Sequence, residues 1–313
     1  MEFGRITSED FDGVDFSLPA DHGDTVRVLA KSKTKNSVKI FVGCAKWGRK
    51  DWLGKIYPEK TKEADFLEHY ARHFNAIELN ATFYKIPGKT QTAAWSKKVG
   101  PDFLFCPKFS QSITHIRRMK NATEATERFL DGVSGFGKNL GPLFLMPHPQ
   151  MGAKALEQMQ LFLEALPADL DVFLELRHPD WFTNNEAASA IFGTMENQKT
   201  GAVITDAAGR RDCVHMRLST PEVFIRFVGN GLHPTDYTRV DEWVQRIKRW
   251  NESGIQKIYF FMHQHEEIHS PELCKYVIEQ LNKHCNTSIP PLEFVEQTPE
   301  LEIPVKAKKT KKK

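Results

Sequence analysis

No stretch of the 313 residues approaches the roughly 18 uninterrupted apolar positions that a membrane-spanning helix needs. The opening Met1-Glu2-Phe3-Gly4-Arg5 runs into acidic and polar residues and has no apolar core of a secretory signal, which points to a cytoplasmic protein. Cysteine is scarce: Cys44, Cys106, Cys213, Cys274 and Cys285 make five, an odd number, and none forms a CxxC pair. A disulfide framework and a thiolate zinc site are therefore not indicated, and the Asn-x-Ser/Thr tripeptides at Asn80, Asn121 and Asn286 carry no weight without secretion. No repeat at solenoid periods is visible, and no GxGxxG follows the first apolar run. Gly48 to Gly54 then Lys55 misses a P-loop by one residue and lacks the Ser or Thr after the lysine. His265-Glu266-Glu267-Ile268-His269 matches HExxH, but zinc chemistry there needs one helix carrying both imidazoles. Ser270-Pro271 opens a helix just after it, which leaves the motif in a loop.

What is present is an ordinary globular balance, 40% hydrophobic and 27% charged. The net charge of +3 is concentrated at one end. Lys306 to Lys313 contains six lysines, and removing these six takes the formal charge from +3 to −3. Such a tail makes weak, non-specific contact with nucleic acid or another polyanion, or simply keeps the chain soluble. Residues 1–37 show little periodic pattern and read as an N-terminal extension. Beyond them, eight short runs rich in β-branched and aromatic residues recur: 38–43, 76–79, 103–108, 143–146, 172–176, 202–205, 223–228 and 257–262. Buried parallel strands read this way. Amphipathic helical patterns lie between them at 63–74, 123–137, 152–166 and 236–253, and another starts at Ser270. The segment 207–222 has no convincing long helix. The expected fold is α/β, a single (β/α)8 TIM-type barrel over 38–285, with an irregular segment replacing the helix between strands six and seven and a lysine-rich tail over 286–313. A doubly wound open sheet is the alternative.

Gly43-Cys44-Ala45-Lys46-Trp47, Asp51-Trp52-Leu53-Gly54 and Ile56-Tyr57-Pro58 resemble the opening of the YecE-like family, domain of unknown function 72. The resemblance continues through Glu78-Leu79-Asn80-Ala81-Thr82-Phe83-Tyr84, Thr114-His115, Glu175-Leu176-Arg177-His178-Pro179-Asp180-Trp181-Phe182, Asp206 and Arg226. It covers about residues 38–285 and implies a barrel of this class; the family's activity is not established. Three places depart from the family pattern: Ala45-Lys46 before the first tryptophan, Met146-Pro147-His148-Pro149 after the fourth strand, and His263-Gln264-His265 after the eighth.

In a barrel, side chains at strand C-termini converge on one pocket. Strand alternation places Glu78 with Asn80, Glu175 with Arg177, and His263 with His265, while Lys108, Asp206 and Arg226 end other strands. Glu175, His263 and Glu78 are the candidates for proton transfer, because burial raises a carboxyl pKa toward neutrality. The alternative is that the glutamates are ionised and paired with Arg177, Arg226 or Lys108. His263, His265 and Asp206, with Glu175, are candidate ligands of a divalent Zn, Mn or Fe ion, although their spacing is not diagnostic. Trp47, Asn80, Tyr84, Lys108, Arg177, His178, Trp181 and Arg226 are the candidate substrate-binding residues, suited to a small anionic ligand with a flat or sugar ring. The aromatic ones can equally form a loop mini-core. The expectation is thus a hydrolase or lyase acting on a phosphorylated or otherwise anionic substrate (nucleotide, nucleic acid or sugar phosphate), metal-assisted or not. A non-catalytic ligand- or nucleic-acid-binding protein using the same pocket is the alternative.

Overall fold

The computed structural model describes residues 2–32 and 38–295. The lysine tail Lys306–Lys313 lies outside the described residues. Eight strands are present: β1 Lys39–Cys44, β2 Ala76–Leu79, β3 Leu104–Pro107, β4 Leu143–Leu145, β5 Val172–Leu174, β6 Gly201–Asp206, β7 Glu222–Gly229 and β8 Lys257–Gln264. The helices are α1 Gly23–Lys31, α2 Phe66–His73, α3 Ala81–Tyr84, α4 Lys89–Ser96, α5 Thr123–Ser134, α6 Leu156–Glu164, α7 Asp180–Thr183, α8 Asn185–Asn197, α9 Pro234–Ser253 and α10 Ser270–Cys285. Between β6 and β7 there is only a short 3-10 turn, Arg211–Cys213. The extension is not featureless, since α1 lies within it and His22 accepts the Asp24 N–H at 3.1 Å as its N-cap.

The closed eight-stranded barrel expected from the sequence is not what forms. Six strands make one parallel sheet in the order β1-β8-β7-β6-β5-β4, curved like part of a barrel, and β2 pairs only with β3 in a separate parallel sheet. The reason lies at the two seams. Between β1 and β2, side chains take the place of ladder hydrogen bonds. The Val42 N–H donates to Asn75 Oδ1 at 2.7 Å, and Asn75 Nδ2 donates to Ile40 O at 3.0 Å. The Cys44 N–H donates to the Tyr70 hydroxyl at 2.7 Å, and that hydroxyl donates to Ala76 O at 3.0 Å. The backbones cross so closely that a Cβ on Gly43 would meet Ala76 O at 2.0 Å, so only glycine fits. Between β3 and β4 there are isolated bridges, Phe105 to Leu140 and Lys108 to Phe144, rather than a continuous ladder.

Alternation sorts the side chains into two layers. Outward positions such as Val223, Ile225, Phe227, Ile258, Phe260 and Met262 join the main core under the helices. Inward positions, one or two from nearly every strand, form a second apolar cluster: Ala76, Cys106, Phe144, Met146, Phe173, Val203, Phe224, Tyr259 and Phe261. On six of the strands the residue two positions further along is polar: Glu78, Lys108, Glu175, Thr205, Arg226 and His263. A floor of aromatic rings therefore carries a layer of buried charge at the C-terminal ends of the strands.

Candidate active site

Arg226 on β7 is the hub of that layer. Its Nε donates to Glu78 Oε2 and its Nη2 to Glu78 Oε1, both at 2.8 Å, a two-pronged pair. Its Nη1 reaches both oxygens of Glu175 at 3.1 Å. Thr205 donates to Glu175 Oε1 at 2.6 Å, Arg177 Nε donates to the same oxygen at 2.8 Å, and Asn80 Nδ2 donates to Glu78 Oε1 at 2.8 Å. The guanidinium of Arg226 also lies 4.8 Å from the ring centre of Phe144 in the aromatic floor.

These contacts decide between the two readings of the glutamates. Burial by itself would raise the Glu175 carboxyl, but the Arg177 and Arg226 guanidiniums outweigh it and hold it at about 2. Burial likewise works against ionised Glu78, and Arg226 and His263 overcome it, holding the carboxyl well below its usual range. Because Glu78 is ionised and can only accept, His263 Nε2 donates to its Oε2, at 3.0 Å. Both carboxylates are paired bases in a charge network rather than protonated acids. The proton-carrying role expected of Glu175 and Glu78 does not fit this geometry.

Lys108 and Arg177 are different. Lys108 is 8% exposed, and its ammonium lies 4.5 Å from the ring centre of Phe83 and 5.3 Å from that of Phe144. Among the described residues no carboxylate comes within ion-pair distance of it. Burial and the neighbouring Arg226 push its pKa down to about 7, with Glu175 and Glu78 pulling the other way. Arg177 commits its Nε to Glu175, and among the described residues its two Nη groups have no hydrogen-bond partner, although the side chain is only 10% exposed. Next to Lys108 stands His115, on the π-helical turn Ser112–Ile116, and its ring meets Phe83 at 4.8 Å and His148 at 5.3 Å. Burial, then Lys108 and His148, lower the His115 pKa to about 4.

The other sequence candidates go elsewhere. Asp206 has the wrong parity: Val203 and Thr205 point inward on β6, so Asp206 points out toward α9. There it accepts from Arg239 Nη2 and Trp243 Nε1, both at 2.7 Å, and pairs with Arg211. His263 is taken by Glu78, and His263, His265 and Asp206 do not come together. Among the described residues no three His, Cys, Asp or Glu side chains group as a metal site. Trp181 donates its indole N–H to Met151 O at 2.9 Å and Trp47 packs edge-on against Trp95, so both belong to loop mini-cores. His178 accepts the Asp180 N–H at 3.2 Å, while Tyr84 is 72% exposed. Sequence reasoning missed Thr205, which the inward parity of Val203 would have found, and the partly buried His115, which no charge pattern along the chain singles out.

Comparison with known proteins bears on the whole assembly. UPF0759 protein YecE of Escherichia coli K12 is 26% identical over 262 residues, spanning 78% of this chain and 93% of that protein. UPF0759 protein YunF of Bacillus subtilis 168 is 29% identical over 155 residues, 46% of this chain and 52% of that one. Two crystal structures share the fold: a DUF72 family protein from Enterococcus faecalis V583 (TM-score 0.60, 17% identity, 80% of this chain and 99% of that chain) and one from Thermotoga maritima MSB8 (TM-score 0.59, 21% identity, 80% and 100%). The family model described as protein of unknown function DUF72 matches residues 41–296, and the chain belongs to that family.

Proposed function

We propose that the mouth of this sheet binds a small oxyanion and that Lys108 is the group that exchanges a proton with it, as in a hydrolase or lyase acting on a phosphorylated or otherwise anionic substrate. One observation carries the reading. In a layer where Glu78, Glu175 and Arg226 satisfy one another, the buried Lys108 has no carboxylate within ion-pair distance, and the Arg177 Nη pair has no hydrogen-bond partner, among the described residues. A buried cation without a counter-ion is costly, and an incoming anion removes that cost. An amine poised near neutrality can also accept and return a proton at neutral pH, which neither ionised glutamate can do. The paired glutamates fix the geometry: Glu175 orients Arg177, and Glu78 holds Arg226 and His263.

Calorimetric titration of inorganic phosphate into wild type and Lys108→Ala tests the binding half. Wild type is expected to bind in the millimolar range or tighter, and Lys108→Ala about tenfold more weakly. Equal binding by the two chains, or none by wild type, sinks the reading. A panel of phosphate-ester and carbonyl substrates tests the other half. Binding with no turnover would favour a non-catalytic receptor, a reading supported by how completely Glu78, Arg226 and Glu175 satisfy each other.

A further inference from the structure

Phe3, near the start of the chain, reaches Arg177. The guanidinium carbon of Arg177 lies over the Phe3 ring, 3.9 Å from its centre, and that of Arg210 lies 5.0 Å from it. Arg210 in turn bonds the Arg177 carbonyl. The Phe3 ring is held there by the backbone that follows it. Gly4 sits at φ +70°, with its carbonyl accepting the Gly209 N–H at 2.8 Å, and a Cβ on Gly4 would meet Ala207 at 2.6 Å. Further along, Arg211 Nη2 donates to Phe16 O at 3.0 Å, and the Phe16 ring packs on Arg211 and Arg239. Phe3, Gly4 and Phe16 lie outside residues 41–296, the span matched by the family model, while the arginines they touch lie within it.

A guanidinium can be used in two ways. Its face stacks on flat rings, and its edge donates hydrogen bonds to oxyanions. Here the edge still offers two unpartnered Nη groups while one face is taken. We propose that the N-terminal segment is a built-in cover that sets ligand class: Phe3 occupies the Arg177 face, so the pocket accepts a small oxyanion edge-on and rejects ligands whose flat aromatic ring would stack on that arginine. This rests on the oxyanion reading above and narrows it, since it removes the flat-ring ligands that the aromatic residues alone would have suggested.

The test uses two matched, non-hydrolysable probes, methylphosphonate and 1-naphthylphosphonate, titrated into the full chain. Wild type is expected to bind the naphthyl probe no better than the methyl one. Phe3→Ala should improve naphthyl binding about tenfold and change methyl binding less than about threefold. Deletion of residues 2–6 should give the same gain and serves if Phe3→Ala does not fold. A tenfold preference of wild type for the naphthyl probe, or an unchanged ratio in both variants, overturns the cover. When methylphosphonate binding still depends on Lys108, that outcome leaves the oxyanion reading standing. When neither probe binds wild type, both proposals fall together.

Discussion

Two clusters of buried charge stand a strand apart in this protein and do different work. On the outer side of β6, Asp206 accepts from Arg239, Arg211 and Trp243, and Asp236 accepts from Arg239 and from the Asn230 N–H. That cluster joins the sheet to α9, and Arg211 carries it on to the backbone at Phe16. On the inner side, Arg226, Glu78 and Glu175 form an equally dense network, but at its edge Lys108 and the Nη pair of Arg177 stay uncommitted. The lesson is that buried charge alone does not mark a site. Apart from the buried Arg239 Nε, the outer cluster spends its donors on its own carboxylates and on backbone carbonyls such as those of Val228 and Phe16, whereas the inner one leaves the Lys108 ammonium and two nitrogens of Arg177 uncommitted.

The comparison breaks most easily at Asp206. Asp206→Ala leaves Arg239, 1% exposed, with Asp236 at 3.3 Å as its remaining carboxylate among the described residues and takes the carboxylate from Arg211, and urea unfolding should show a loss of about 3–5 kcal/mol. Phosphate affinity, measured below the unfolding midpoint, should stay within about threefold of wild type; a larger drop would join the two clusters functionally. Glu175→Gln is next, at about 2–3 kcal/mol at neutral pH, because Arg226 keeps Glu78 while Arg177 loses its only carboxylate. The pH dependence is specific. With a folded pKa of about 2 against an ordinary 4.5, Glu175 contributes stability that is complete above about 4.5 and is lost as pH falls toward 2. Acid titration of unfolding should therefore show a shallower decline across that window in the variant than in wild type. Lys108→Met comes last and has the opposite sign. Burial depresses the amine from 10.5 to about 7, so the unfolded chain binds more protons between those values and wild-type stability rises with pH across them. The variant should equal or slightly exceed wild type at pH 7 and lose that rise. A destabilised Lys108→Met would show that the ammonium has a structural partner.

Much of this was legible beforehand, and the illegible part has a common physical cause. All eight apolar runs fall on the observed strands, and the pairs Glu78 with Asn80 and Glu175 with Arg177 meet as period-two alternation requires. Ring closure was not legible, because it depended on whether Asn75 and Tyr70 would satisfy strand-edge groups that a ladder normally takes. Asp206 was placed at the right strand end but on the wrong side; a one-residue difference in parity turns a pocket ligand into a helix anchor. The glutamates were found, but the charge that keeps Glu78 ionised is Arg226, 148 positions away in sequence, and Glu175 is held by Arg177 and then by the same Arg226, 51 positions away. Phe3 was invisible as a pocket residue, since a terminal phenylalanine carries no periodic signal and its place depends on one left-handed glycine.

The Asn75 and Tyr70 seam has a kinetic consequence. A ladder edge opens only when two strands part, so its amides exchange with solvent through a cooperative event. At the β1–β2 edge the Val42 and Cys44 amides are held by single rotamers, so exchange there is gated by two side-chain rotations. The edge that leaves the eight strands in two sheets is thus where amide exchange is expected to report side-chain rotation rather than strand parting, beside the strand that carries Glu78.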